Sequence, residues 1–120
     1  MIGTVDESDR ALLVIQVRPD ESEAVSDISV WIDTAFTGEL VMPRSTIESL
    51  GLTQAAGILA ILADGTNVEL PAYRCQVDWF GEWRWVEVIQ NEGECPLLGV
   101  GLLRNRRLLV DYRARTINME

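Results

Sequence analysis

One carboxylate in this chain stands in a setting that could support chemistry. Ile28, Val30 and Ile32 alternate as a half-buried strand would, and the strand runs directly into Asp33. Leaving an apolar strand strips a carboxylate of hydration, so it needs hydrogen-bond donors or a partner. The residues that follow, Thr34, Ala35, Phe36, Thr37 and Gly38, are mostly small or hydroxyl-bearing. Backbone N–H groups can therefore approach the Asp33 oxygens closely. The same tripeptide suits an Asx-turn in which Asp33 caps a loop, and on Asp33-Thr34-Ala35 alone that plainer reading is favoured.

Absences narrow the chemistry further. The 120 residues include no histidine and no lysine. Ser-His-Asp and Cys-His catalysis and histidine-ligated metal sites are thereby excluded. So are Schiff-base chemistry and a phosphate-cradling Gly-Lys loop. Carboxylates are almost the whole acid–base inventory. Cys75 and Cys95 are too far apart for a CxxC pair, and two thiols make no usual zinc site. They read as free, buried thiols in a reducing compartment. A net charge of −9 argues against nucleic acid as a partner, and Arg104, Arg106 and Arg107 are too small a cluster to reverse it. The apolar run 11–17 is too short to span a bilayer, and the acids before it do not suit a secretory signal. The expected location is cytoplasmic, with no membrane partner.

The elements that must position Asp33 are mainly strands. Strand patterns cover 12–17, 28–32 and 39–42, with an exposed loop from Arg18 to Glu23 between the first two. One helix should follow Pro43, bury Ile47 and Leu50 on one face, and stop at Gly51 in a left-handed cap, with Leu52 folding back onto Ile47. Strands over 58–62 and 67–73 should form a hairpin around Ala63-Asp64-Gly65-Thr66, since Asp-Gly supplies the positive φ of a tight turn. A change of apolar phase at Pro71 predicts a bend. Phe80-Gly81 should turn the chain into a strand over 82–89. A second short helix is expected near Leu102, then strands over 108–112 and 116–119. Trp79, Trp83 and Trp85 are expected to fill the core of a two-stranded ribbon. The whole chain, 1–120, reads as one all-β domain with one or two short helices.

The order of these features resembles the retropepsin-like (clan AA) aspartic proteases. It consists of apolar-apolar-Asp33-Thr34-Ala35, a strand, a short helix, an Asp-Gly hairpin, and Leu97-Leu98-Gly99 before a helical turn. The run from Asp33 to Pro43 is similar to the small prokaryotic branch with an Asp-Thr-Gly-Phe signature. The resemblance implies a closed barrel that works as a C2 homodimer, with Asp33 as the catalytic carboxylate and Thr34 orienting it. It implies a flap at Ala63, Asp64, Gly65 and Thr66 closing over a peptide or protein substrate. Leu97, Leu98 and Gly99 would support the active-site loop from behind. Ala35 departs from the family's usual glycine, a place where related enzymes also carry alanine. No metal or organic cofactor is implied.

Such enzymes hold two carboxylates about 3 Å apart, sharing one proton between them. One Asp-Thr-Ala triplet per chain then requires two chains about a two-fold axis, with 108–119 the expected interface. Two rivals remain open at this point. One keeps the fold as a binding or scaffold module without useful protease activity. The other makes Asp33 a phosphoryl-accepting nucleophile, but the missing lysine and the scarcity of helices weigh against that α/β chemistry.

Overall fold

The computed structural model describes residues 1–22, 24–55 and 58–120, with only the backbone described at 58–60. Glu23, at the end of the loop expected after the first long strand, lies outside the described residues. The chain is mainly β. In order, the first strands are β1 (Ile2–Val5), β2 (Ala11–Arg18), β3 (Ser26–Ile32) and β4 (Leu40–Pro43), and helix α1 (Arg44–Leu50) follows. Next come β5 (Thr53–Gln54), β6 (Ile58–Ile61), β7 (Asn67–Leu70), β8 (Ala72–Trp79) and β9 (Glu82–Asn91). The chain closes with β10 (Leu97–Leu98), helix α2 (Val100–Leu103), β11 (Leu108–Asp111) and β12 (Thr116–Met119). Neither helix is long and apolar enough to cross a membrane.

Strand alternation builds the core. In β2 the side chains of Ala11, Leu13, Ile15 and Val17 point inward, and in β3 those of Ile28, Val30 and Ile32 do. Val77, Val88, Leu98, Leu102, Ile117 and Met119 close over them with no measurable exposure. Each such side chain contributes roughly 1.5–3 kcal/mol relative to an exposed one.

Ten strands form one sheet in the order β11-β12-β1-β2-β3-β10-β4-β9-β8-β5, and β8 also pairs with β2 through Val17–Val77 and Arg18–Gln76. The two-residue β10 is inserted between β3 and β4. It runs parallel to β3, with Leu98 beside Ile32, and antiparallel to β4, with Leu98 beside Leu40. The loop joining β3 to β4, which begins with Asp33, therefore spans the end of β10.

Several local expectations are met for the reasons given. Gly51 adopts φ +67°, its N–H donates to the Glu48 carbonyl (3.1 Å), and that of Leu52 donates to Ile47 (3.3 Å), a Schellman cap. The helix follows Pro43, which is its extended N-cap residue. The phase change at Pro71 falls in the break between β7 and β8. Phe80 and Gly81 both have positive φ (56° and 89°), the two-residue turn that matches strand twist. The Phe80 ring lies edge-on to Trp79, with centroids 5.2 Å apart, and the Arg106 guanidinium sits 3.6 Å from its centroid. These contacts offset a backbone conformation that a bulky residue rarely adopts.

Other expectations are corrected. The sequence reading contained no strand at Ile2–Val5, which pairs with β12 and β2. Of the three tryptophans, Trp79 is core, Trp83 is half-buried and Trp85 is 43% exposed. Strand alternation sends Trp83 and Trp85 outward, where the Arg18 and Arg74 guanidinium groups stack on them at 4.0 and 4.5 Å from the ring centroids. Both cysteines are free, but only Cys75 is fully buried; Cys95 is half-buried. In the arginine cluster, Arg107 pairs with Glu120 within the chain at 3.4 Å.

Candidate active site

Ile32 is the last inward residue of β3, so the alternation that buries it turns its neighbours Trp31 and Asp33 the other way. Both line an open cleft of about 390 Å3 together with Ile32, Thr34 and Leu97. Trp31 is 39% exposed there, a large apolar surface beside a half-buried carboxylate.

Backbone groups fix the acid. The Asp33 N–H donates to the Leu98 carbonyl (2.9 Å), continuing the β3–β10 pairing one residue past the strand. The Ala35 N–H donates to Asp33 Oδ1 (2.9 Å), and the Phe36 N–H to the Asp33 carbonyl (3.2 Å). Asp33 is therefore both an Asx-turn residue and a cleft residue, and the two sequence-level readings coexist. Thr34 is exposed, and among the described residues its hydroxyl has no hydrogen-bond partner. Ala35 is not among the residues with positive φ, so alanine stands there without backbone strain.

The rest of the loop is stitched to the segment entering α2. The Gly99 N–H donates to Glu39 O, Val100 to Phe36 O and Gly101 to Gly38 O, each at 2.9 Å. Such closeness excludes side chains. A Cβ on Gly99 would lie 2.4 Å from the Gly38 carbonyl oxygen and 2.7 Å from that of Phe36, and one on Gly101 would lie 2.8 Å from Gly38 O. Glu39 anchors the far end of the loop: its carboxylate accepts the Glu87 N–H (3.0 Å) and meets Arg84 at 3.5 Å.

The structure thus brings Asp33, Thr34 and Leu97 into one cleft and sets Leu98 and Gly99 behind the Asp33 loop. The hairpin tip Ala63–Thr66 does not line that cleft and belongs to a separate two-stranded sheet of β6 and β7. At the tip the Gly65 N–H donates to Leu62 O (2.9 Å), Gly65 has φ +85°, and the Thr66 N–H donates to Asp64 Oδ1 (2.8 Å). The Thr66 side-chain and backbone hydrogen bonds hold the Asp64 carboxyl below its ordinary 3.8. Among the described residues, no cluster of three acidic or thiol side chains could hold a metal ion. Sequence reasoning overlooked Trp31, Gly38, Glu39 and Gly101. The glycine spacing was visible, with Gly38 after Asp33 and Gly99 and Gly101 after β10, and close backbone packing is what such glycines signal.

No family model matches the chain, and neither does any curated protein. Solved structures do. EIAV protease complexed with the inhibitor HBY-793 superposes with TM-score 0.58 at 18% identity, over 85% of this chain and 92% of that one. A retropepsin-like aspartic protease from Rickettsia conorii gives TM-score 0.65 at 15% identity, over 98% and 86%. The retroviral protease-like domain of Ddi1 from Leishmania major gives 0.51 at 12% identity, over 91% and 88%. The inserted β10, the acid at the end of β3 and these superpositions agree, and the chain has the retropepsin-like fold.

Proposed function

We propose that the protein is an aspartic endopeptidase that cleaves peptide bonds as a C2 homodimer, with Asp33 and the partner's Asp33 as its catalytic pair. The observation that carries this reading is the placement of Asp33. It is held by backbone hydrogen bonds in the wall of a cleft lined largely by apolar side chains, and the sequence holds one Asp-Thr-Ala triplet. Two carboxylates brought to about 3 Å share one proton. The ionised one takes a proton from a water lying between them, and the water oxygen attacks the peptide carbonyl carbon. The protonated one gives its proton to the carbonyl oxygen, so the tetrahedral intermediate forms without a covalent acyl-enzyme. Collapse of the intermediate breaks the C–N bond as the amine takes up the proton held by the first carboxyl, and a hydroxyl of the intermediate returns its proton to the second, restoring the pair.

Further features support the dimer. The hydroxyl of Thr34, unpartnered among the described residues, is available to bond across a two-fold axis. β11 ends the large sheet, with Leu109 60% exposed, and pairing with a second β11 would cover that edge. The β2–β8 pairing supports a closed barrel in each subunit. The β6–β7 hairpin is the flap in this reading, and the two free thiols favour the cytoplasm. Asp33→Asn tests the proposal: cleavage of a mixed peptide library should disappear while sedimentation still reports a dimer. Undiminished cleavage by that variant would remove Asp33 from the chemistry, and a wild-type protein that cleaves while strictly monomeric would remove the pair.

A further inference from the structure

Beside the Asp33 cleft lies a second recess of about 380 Å3, whose walls include Arg10, Glu94 and Cys95 and which shares Trp31 and Leu97 with the cleft. The recess and the cleft therefore adjoin. The charges of the recess do not cancel. The Nε and Nη2 of Arg10 both reach Asp6 Oδ2 at 2.7 Å, so that cation is already neutralised. Glu94 is exposed and has no hydrogen-bond or ion-pair partner among the described residues. The Arg10 guanidinium lies 5.8 Å from the Trp31 ring centroid, the far end of cation–π range, and Trp31 remains 39% exposed.

An unpaired carboxylate lining the same recess as a partly exposed indole complements a guanidinium or ammonium group. We infer that this recess is a substrate subsite selecting an arginine or lysine side chain. The inference rests on the endopeptidase reading and adds to it the class of peptide preferred. The Asp33 cleft itself, walled by Ile32, Trp31 and Leu97, suits an apolar side chain next to the scissile bond. In an extended peptide, side chains on one face are two residues and about 6.6 Å apart. The preferred substrate therefore carries its basic residue two positions from that apolar one. The net charge of −9 adds a general attraction for cationic peptides.

The test compares peptides that differ at this position alone, carrying Arg, Ala or Glu, against the wild-type protein and Glu94→Arg. For the wild type, kcat/KM for the Arg peptide should exceed that for the Ala peptide about tenfold, as a partly screened ion pair with an aromatic face allows. In Glu94→Arg that ratio should fall to about one, and the Glu peptide should become the best of the three. Equal Arg-to-Ala ratios in the two proteins would overturn the subsite while leaving the protease reading intact. Peptide binding by fluorescence anisotropy covers the remaining outcomes. If nothing is cut but the Arg peptide binds preferentially, and Glu94→Arg abolishes the preference, the recess stands as a site for a basic side chain and the protease reading falls. If nothing is cut and no preference is seen, both fall.

Discussion

Gly99→Ala isolates what holds the Asp33 loop in place. Gly99 has φ −99° and ψ 176°, an extended conformation that alanine adopts freely, so the backbone itself raises no objection. The objection is contact. The new methyl would sit 2.4 Å from Gly38 O, 2.5 Å from a Phe36 ring carbon and 2.7 Å from Phe36 O. Restoring an ordinary separation of about 3.4 Å moves the loop by roughly 1 Å, since the nearest atom is backbone and cannot rotate away. The bonds from Val100 to Phe36 O and from Gly101 to Gly38 O, both 2.9 Å, would stretch beyond hydrogen-bonding range. Overpacking costs about 1–3 kcal/mol, and each lost bond about 0.5–1.5 kcal/mol. The expected loss is about 3 kcal/mol.

Thermal unfolding at fixed protein concentration should show this as a fall in Tm of about 10 °C. Peptide cleavage should fall with it, because the displaced loop carries Asp33. Gly51→Ala is the control. A Cβ there meets nothing within 4 Å, but φ is +67°. It should cost about 1 kcal/mol through backbone strain alone and leave cleavage intact. A Gly99→Ala protein as stable and as active as the wild type would refute the idea that backbone contact with the β10–α2 segment sets the loop.

Burial, with a smaller contribution from the Glu39 charge, pushes the Cys75 thiol up to about 12, so at pH 8 it should resist iodoacetamide until the protein unfolds. Mass spectrometry should find the alkyl group on half-buried Cys95 first, and early labelling of Cys75 would contradict the packing around it. The Arg10 N–H, followed by the Arg10 guanidinium and the Ser8 N–H, holds the Asp6 carboxyl below its ordinary 3.8 against an opposing burial effect. A depressed carboxylate stabilises the fold above its unfolded-state value and loses that contribution as pH falls through its folded-state value. The denaturation midpoint of the wild type should therefore exceed that of Asp6→Asn at pH 7, and the gap should close below 3.8. A gap that widens on acidification would refute this.

Much of the fold was legible because it is written in side-chain periodicity. Ile28, Val30 and Ile32 announce β3 by period two, and Gly51 announces the end of α1 by the conformation that only it adopts cheaply. What escaped was written in contacts between distant segments. β1 is short, and its alternation is interrupted by Gly3, where a Cβ would lie 2.4 Å from the Leu12 carbonyl oxygen. The outward tryptophans read as core because arginines from other strands, not apolar neighbours, cover them. β10 has two residues, and nothing local shows that it is inserted between β3 and β4.

The same distinction explains why the candidate site was only partly readable. Asp33 stood out because it is a charged side chain at the end of an apolar strand. Nearly everything that orients it is main chain: the Leu98 carbonyl, the Ala35 N–H, and the bonds from Gly99, Val100 and Gly101. Main-chain donors leave no residue type behind, but the space they need does. Two of the three contacts behind the loop use Gly99 or Gly101 as donor, and Gly38 accepts one of them. A Gly-x-Gly spacing like that of Gly99 and Gly101 also occurs in nucleotide-binding loops, since both bring backbone close to a second surface. Here that second surface is the protein's own acidic loop. These glycines therefore report how tightly Asp33 is held, not what it binds.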